Sequence, residues 1–177
     1  MSLEPDQEET IHEGPRFTVK RGRFGDRTRE WVEAPASVAV AAYDEQQIYL
    51  VRQPREAIGR ADILELPAGL MDVDGEHPID TAKRELREET GFEADAWVHA
   101  TTYFSSVGFT DEQVHIFLAT GLRKVGEPGA IEDERIELVT WPLDQIDGLI
   151  DGGVDAKTLV ALLWLRRARA DATATVD

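Results

Sequence analysis

Cysteine is absent from the 177 residues, which excludes disulfides, thiolate nucleophiles and Cys-ligated zinc. No apolar run approaches the ~20 residues that a membrane-spanning helix requires. Residues 1–14 are acidic and polar, without the apolar centre of a secretion signal, so a cytoplasmic protein is the expectation. Positive charge is also scarce. Nineteen Lys and Arg face 35 Asp and Glu, a net charge of −16 that repels phosphate backbones and anionic headgroups. Nucleic acid and membrane are therefore not expected as partners. What the chain does contain is enough apolar residue, 42%, to fill a core, and its length fits one domain.

Three stretches divide the chain: 1–14 as a flexible tail, 15–35 as an antiparallel β extension, and 36–171 as the main domain. The extension is a hairpin, Phe17 to Phe24 and Arg29 to Glu33, turning near Gly25-Asp26. A second hairpin pairs Ser37–Tyr43 with Gln47–Arg52, and Pro54 is expected to stop its latter strand. Pro67-Ala68-Gly69 breaks the pattern, and a loop covers residues 72–77. A helix follows from Pro78, suited to a first turn that leaves its N–H unused, to Thr90, with Gly91 as its stop. Further strands are expected over Ala94–Phe104, Val114–Ala119 and Ile136–Trp141, and helices over Pro142–Leu149 and Asp155–Arg169. Separate hairpins with two or three helices imply an α/β fold of α+β type, a mixed β-sheet sandwiched between helices. His77, His99 and His115 lack ligand-like spacing, and Trp141 and Trp164 read as core.

The densest chemistry lies in Lys83-Arg84-Glu85-Leu86-Arg87-Glu88-Glu89-Thr90-Gly91. On a helix, Glu85, Glu88 and Glu89 stand at i, i+3 and i+4 and share a face, while Ile79, Ala82 and Leu86 form a separate apolar stripe. Three like charges on one face repel unless arginines or a bound cation offset them. Oxygen-only ligands favour hard cations, Mg²⁺ or Mn²⁺, over zinc. By itself this string also fits an exposed helix laced with Glu–Arg salt bridges.

With its flanks the segment resembles the Nudix box, G-x5-E-x7-R-E-U-x-E-E-x-G-U, where U is a bulky apolar residue. Glu76, Arg84, Glu85, Leu86, Glu88, Glu89, Gly91 and Phe92 fall in register, whereas Gly69 and Glu76 are separated by six residues instead of five. The resemblance implies a Nudix fold and a metal-dependent hydrolase of nucleoside diphosphate derivatives. It implies Glu85 and Glu89 as the main metal ligands, Glu88 as a third, and the carbonyl of Ala68 as a further donor. Arg84 would orient these carboxylates through charge-assisted hydrogen bonds.

Other segments resemble the ADP-ribose pyrophosphatase branch. Leu64-Glu65-Leu66-Pro67-Ala68-Gly69 and Val51-Arg52-Gln53-Pro54-Arg55 are two of them, and they offer Glu65, Arg52 and Arg55 as substrate contacts. Arginine's planar fork suits a diphosphate. The run Ser105 to Glu112 is similar to that branch's substrate loop, with Gly108, Phe109 and Glu112 in place. Its marker proline is replaced by Val107, sixteen residues beyond Gly91. Glu132 to Glu137 resembles the acidic loop that carries the general base. Glu134 is the first candidate, Glu132 the alternative and Glu112 a third. The resemblance implies a homodimer built through the N-terminal β extension, and Trp31 either stacks on a base or packs structurally. The reaction implied is hydrolysis of ADP-ribose to AMP and ribose 5-phosphate. Alternatives are hydrolysis of nucleotide sugars, NADH or dinucleoside polyphosphates, or a non-catalytic ADP-ribose sensor. A plain acidic scaffold does not account for the register of the box.

Overall fold

The structure, a computed structural model, describes residues 3–128 and 136–174. Two sheets organise it. The first joins β1 (Gln7–Glu13), β2 (Thr18–Phe24) and β3 (Arg27–Glu33) as an antiparallel meander. The second has the order β10-β5-β4-β9-β8, with short strands β6 and β7 paired to β5 and β4. Its strands are β4 (Ser37–Tyr43), β5 (Gln47–Arg55), β6 (Arg60–Glu65), β7 (Ala68–Leu70), β8 (Phe92–Phe104), β9 (Gln113–Lys124) and β10 (Glu137–Pro142). The pairing of β4 with β9 is parallel, from Ser37 opposite Val114 to Ala42 opposite Ala119, and the sheet is therefore mixed.

The helices are α1 (Pro78–Thr90), α2 (Ile146–Gly152) and α3 (Ala156–Ala174). They cover opposite faces of the second sheet. Val38, Val40 and Ala42 pack with Ala82 and Leu86 of α1 and with Tyr49 and Phe117. Ala39 and Ala41 turn the other way, onto Ile146 and Leu149 of α2 and Ala161, Leu162 and Leu165 of α3. Every residue from Val38 to Ala42 is fully buried, which is why this strand reads as a continuous apolar run without alternation. The expected sheet between helices is what forms.

Three readings are corrected. Residues 7–13 are a strand where a flexible tail was expected. All its side chains are exposed, so no apolar pattern marks it, and charge holds it instead: Glu8 pairs with Lys20 at 2.9 Å and Glu9 with Arg21 at 3.0 Å. Pro54 does not end β5, which continues to Arg55 through a register shift against β6 between Gln53 and Arg55. Such a bulge accommodates a residue with no N–H to give. Trp164 is half-exposed beneath Arg167, 5.3 Å from its ring centre, and only Trp141 packs against the α2–α3 core.

Candidate active site

Helix α1 is bounded as its punctuation requires. Pro78 opens it, and Gly91 closes it in the left-handed conformation (φ 72°), its N–H donating to the Arg87 carbonyl at 2.9 Å. Docking of Ala82 and Leu86 fixes its rotation. Glu85 and Glu89 then point inward, 7% and 6% exposed, while the Glu88 side chain stays 40% exposed. The segment Pro67-Ala68-Gly69 crosses above them. Ala68 N–H donates to Glu89 Oε2 at 3.0 Å. Gly69 lies so close to the Glu85 carboxylate that any Cβ there would overlap it.

Arg84 is the hub of the helix. Its Nη1 donates to Glu85 Oε1 at 2.6 Å and to Glu88 Oε2 at 3.3 Å. Nε and Nη2 reach the two oxygens of Glu76 at 3.4 and 3.3 Å, and Nη2 lies 3.6 Å from Asp72. Glu76 also accepts the Thr81 hydroxyl at 2.8 Å, bracing the first turn. Burial works against the Arg84 charge, but the hydrogen bonds of Glu76 and the charges of Glu85, Glu76 and Glu88 raise its pKa well above the usual value. It is a permanent cation. Burial raises the Glu85 pKa, only partly opposed by Arg84 and reinforced by Glu88 and Asp72.

Arg84, Glu85, Glu89 and Asp72 line a cavity of about 700 Å³. Glu112, Ala68 and Gly69 also line it, as do Gln53, Arg55 and Lys157 and, from the N-terminal segment, Pro15 and Arg16. Arg55 grips the buried Glu65 through Nε at 2.6 Å and Nη2 at 2.8 Å, and Lys157 contacts the same carboxylate. Burial raises the Glu65 pKa, but Arg55 and Lys157 together bring it below its ordinary value, and Glu65 stays ionised. Glu112 accepts a hydrogen bond from Ser37 at 3.0 Å.

Among the expected site residues, Arg84, Glu85, Glu89, Ala68, Arg55 and Glu112 therefore meet around one cavity, with Glu65 behind Arg55. Others do not. Arg52 lies on the surface, paired with Glu137 at 3.1 Å. Glu88 touches Arg84 but lines a neighbouring groove with Lys83, Arg87 and Trp97. Trp31 lies over Gly22, where a Cβ would collide with its ring, and 6.4 Å from Phe24. Gly108 and Phe109 belong to a loop tied to the N-terminal sheet, where the Phe109 carbonyl accepts Val32 N–H at 2.7 Å. Glu132 and Glu134 lie outside the described residues. The sequence reading missed Lys157, Gln53 and Arg16. No motif marks Lys157 or Arg16, and Gln53 shares the strand face of Arg55, two positions away.

The donor set is all oxygen: two buried carboxylates on one face of α1 beside the peptide of Ala68. Among the described residues no three acidic or histidine side chains already converge on a point. Arg84 draws Glu85 one way, and Ala68 N–H holds one oxygen of Glu89. Two buried carboxylates one helical turn apart are nevertheless a donor pair suited to a hard divalent cation.

A family model described as NUDIX domain matches residues 33–163. The chain belongs to the Nudix family. Its α1 is then the Nudix helix, and enzymes of this family use a divalent metal. The chain is 44% identical over 139 residues to an ADP-ribose pyrophosphatase of Mycobacterium tuberculosis, covering 75% of this chain and 67% of that protein. It is 41% identical over 142 residues to an ADP-ribose pyrophosphatase of Bacillus subtilis, with 78% and 76% covered. A GDP-mannose pyrophosphatase of Cronobacter sakazakii is 31% identical over 161 residues, with 85% and 83% covered. A solved structure titled as an ADP compounds hydrolase superposes with a TM-score of 0.78, covering 94% of this chain and 95% of that one at 23% identity, a likeness of fold. This Nudix chain is a pyrophosphohydrolase of nucleoside diphosphate compounds.

Proposed function

We propose that this Nudix protein hydrolyses the diphosphate linkage of ADP-ribose or a related nucleoside diphosphate derivative, giving AMP and ribose 5-phosphate from ADP-ribose. The observation that carries the reading is the cavity itself. One space of nucleotide size is lined both by the buried carboxylates of the Nudix helix and by Arg55 and Lys157. Relatives named as ADP-ribose pyrophosphatases support the substrate.

Mg²⁺, with Mn²⁺ as a substitute, is the proposed cofactor; held by Glu85 and Glu89 with the Ala68 carbonyl, it would neutralise phosphate charge and activate water. Arg84 holds Glu85 in place and favours its charged form against the burial that opposes it. Glu88 reaches the reaction only through Arg84. Arg55, lining the same cavity, orients the diphosphate. In the chemical step a water oxygen bonds to one phosphorus, the bridging P–O bond breaks, and a carboxylate takes the water proton. Glu134 remains the proposed base, with Glu132 as its alternative; Glu112, already in the cavity wall, is the third candidate. Arg52, Trp31, Gly108 and Phe109 are dropped as direct contacts, and Arg16 takes their place at the rim. Among the described residues no helix is long and apolar enough to cross a membrane. A cytoplasmic homodimer completes the proposal.

A nucleotide sugar as substrate is the second reading, favoured by the GDP-mannose pyrophosphatase relative and by Val107 in place of the branch's proline. The test is product release from ADP-ribose, nucleotide sugars, NADH and dinucleoside polyphosphates, with Mg²⁺ and with EDTA. ADP-ribose should be cleaved fastest. Both EDTA and Glu89→Gln should reduce turnover at least about a hundredfold, as loss of a metal ligand does. Turnover that survives chelation sinks the scheme, and preference for a sugar nucleotide moves the substrate while keeping the chemistry.

A further inference from the structure

Lys157 is the second residue of α3, and the start of that helix fixes its position. Asp155 caps the helix, accepting the N–H groups of Lys157 at 3.0 Å and Thr158 at 3.2 Å and the Thr158 hydroxyl at 2.6 Å. Thr158 Oγ1 in turn accepts Leu66 N–H at 3.0 Å, tying α3 to the segment that crosses above the Nudix carboxylates. The Lys157 ammonium contacts Glu65 and stands 3.1 Å from Asp155. A lysine held at its base by a helix cap and at its tip by a buried carboxylate has little rotational freedom left.

The consequence concerns Arg55. Glu65 is 1% exposed and is approached by two cations. Arg55 meets it with Nε and Nη2, and among the described residues no protein acceptor meets Nη1. With Arg55 alone, Glu65 and Asp155 would leave the cluster one net negative charge, which repels an incoming anion. With Lys157 added, two cations balance the two carboxylates at a cavity that Glu85, Glu89 and Glu112 also line. A diphosphate entering beside three carboxylates is then not opposed by a further uncompensated one.

We propose that Lys157 is a positioning residue for the diphosphate: by sharing Glu65 it leaves the Nη1 edge of Arg55 to the substrate and cancels the negative charge that Glu65 and Asp155 would otherwise set beside it. The inference rests on the function proposed above. It also accounts for a buried glutamate with two cationic partners, where one would satisfy the pair.

The experiment measures kcat and KM for ADP-ribose with Mg²⁺, and calorimetric binding of inorganic pyrophosphate, in wild type, Lys157→Met and Lys157→Met/Glu65→Gln. Lys157→Met should raise KM and weaken pyrophosphate binding about tenfold, the effect of one charged hydrogen-bonding partner, with kcat altered less. Lys157→Gln, whose amide still donates to Glu65, carries the same prediction in a chain with its fold braced. The double variant should bind more tightly than Lys157→Met, because the uncompensated carboxylate is gone. KM within twofold of wild type in both single variants, or a double variant no tighter than Lys157→Met, overturns the proposal. A wild type that binds pyrophosphate but cleaves nothing defeats the proposed function alone, since binding still reads Lys157. A wild type that does neither defeats both.

Discussion

At Gly69 a single missing methyl group sets how closely the crossing segment approaches the Nudix helix. A Cβ there would overlap the carboxylate of Glu85, which is the far end of a flexible side chain and can swing aside. Gly69→Ala should therefore leave stability within about 1 kcal/mol of wild type. Function should suffer instead, because the displaced carboxylate is a proposed metal ligand. Titrating activity against Mg²⁺ should show half-activation at a concentration at least about tenfold higher, the usual size of a perturbed ligand sphere. An unchanged Mg²⁺ requirement would remove Glu85 from the metal site. At this scale the sequence was informative only where chemistry is written in local spacing. Glu85 and Glu89 are legible because i and i+4 meet on a helix. Lys157 reaches Glu65 across 92 positions of sequence, and no local pattern carries that distance. Arg52 and Arg55 look alike in the sequence, yet three positions apart on one strand they take opposite faces, one at the surface with Glu137 and one lining the cavity.

At the scale of elements, Nudix helix α1 was read with its observed ends because Pro78 and Gly91 punctuate it. Gly91 is constrained twice. Its φ of 72° is a conformation that side chains rarely adopt, and a Cβ would run into the backbone carbonyl of Gly126. The Gly91 carbonyl accepts the N–H groups of Val125 at 2.9 Å and Gly126 at 3.2 Å, so the end of α1 is sewn to the end of β9. Backbone cannot yield as a side-chain tip can. Gly91→Ala should destabilise the protein by about 1–3 kcal/mol, visible as a lowered melting temperature and denaturant midpoint. A melting temperature equal to wild type would mean that this helix end relaxes freely. Strand β1 is the counterexample for legibility. QEETIHE has no buried face to reveal, and its pairing depends on cations of β2 that a local pattern does not assign. Strand β4 was legible for the opposite reason, since burial on both faces writes an unbroken apolar run.

On the scale of the whole molecule, the two sheets differ in how they are covered. The second has helices on both faces. The first has none, and among its strands only Gly22 is buried. Three strands without a covered apolar face are at the margin of independent stability in water. The sheet is attached through a few polar contacts, with Val32 N–H on the Phe109 carbonyl at 2.7 Å and Ala34 N–H on Asp111 at 3.1 Å. Ile11 and Phe17 of the N-terminal region remain 44% and 46% exposed, and Val107 and Phe109 of the neighbouring loop 86% and 57%. A second copy of the chain is the proposed cover, consistent with the homodimer implied by the β extension. Sedimentation at micromolar concentration should then give about twice the chain mass of 19.7 kDa. Ile11→Asp with Phe17→Asp should shift the protein toward the single-chain mass while the main sheet, which contains neither residue, keeps its helical circular dichroism. A single-chain mass for wild type at every concentration would instead mean that this sheet stands on its backbone ladders and ion pairs alone. Glu8–Lys20 and Arg21–Glu30 would then have to hold it, and the sheet should loosen in high salt before the rest of the molecule does.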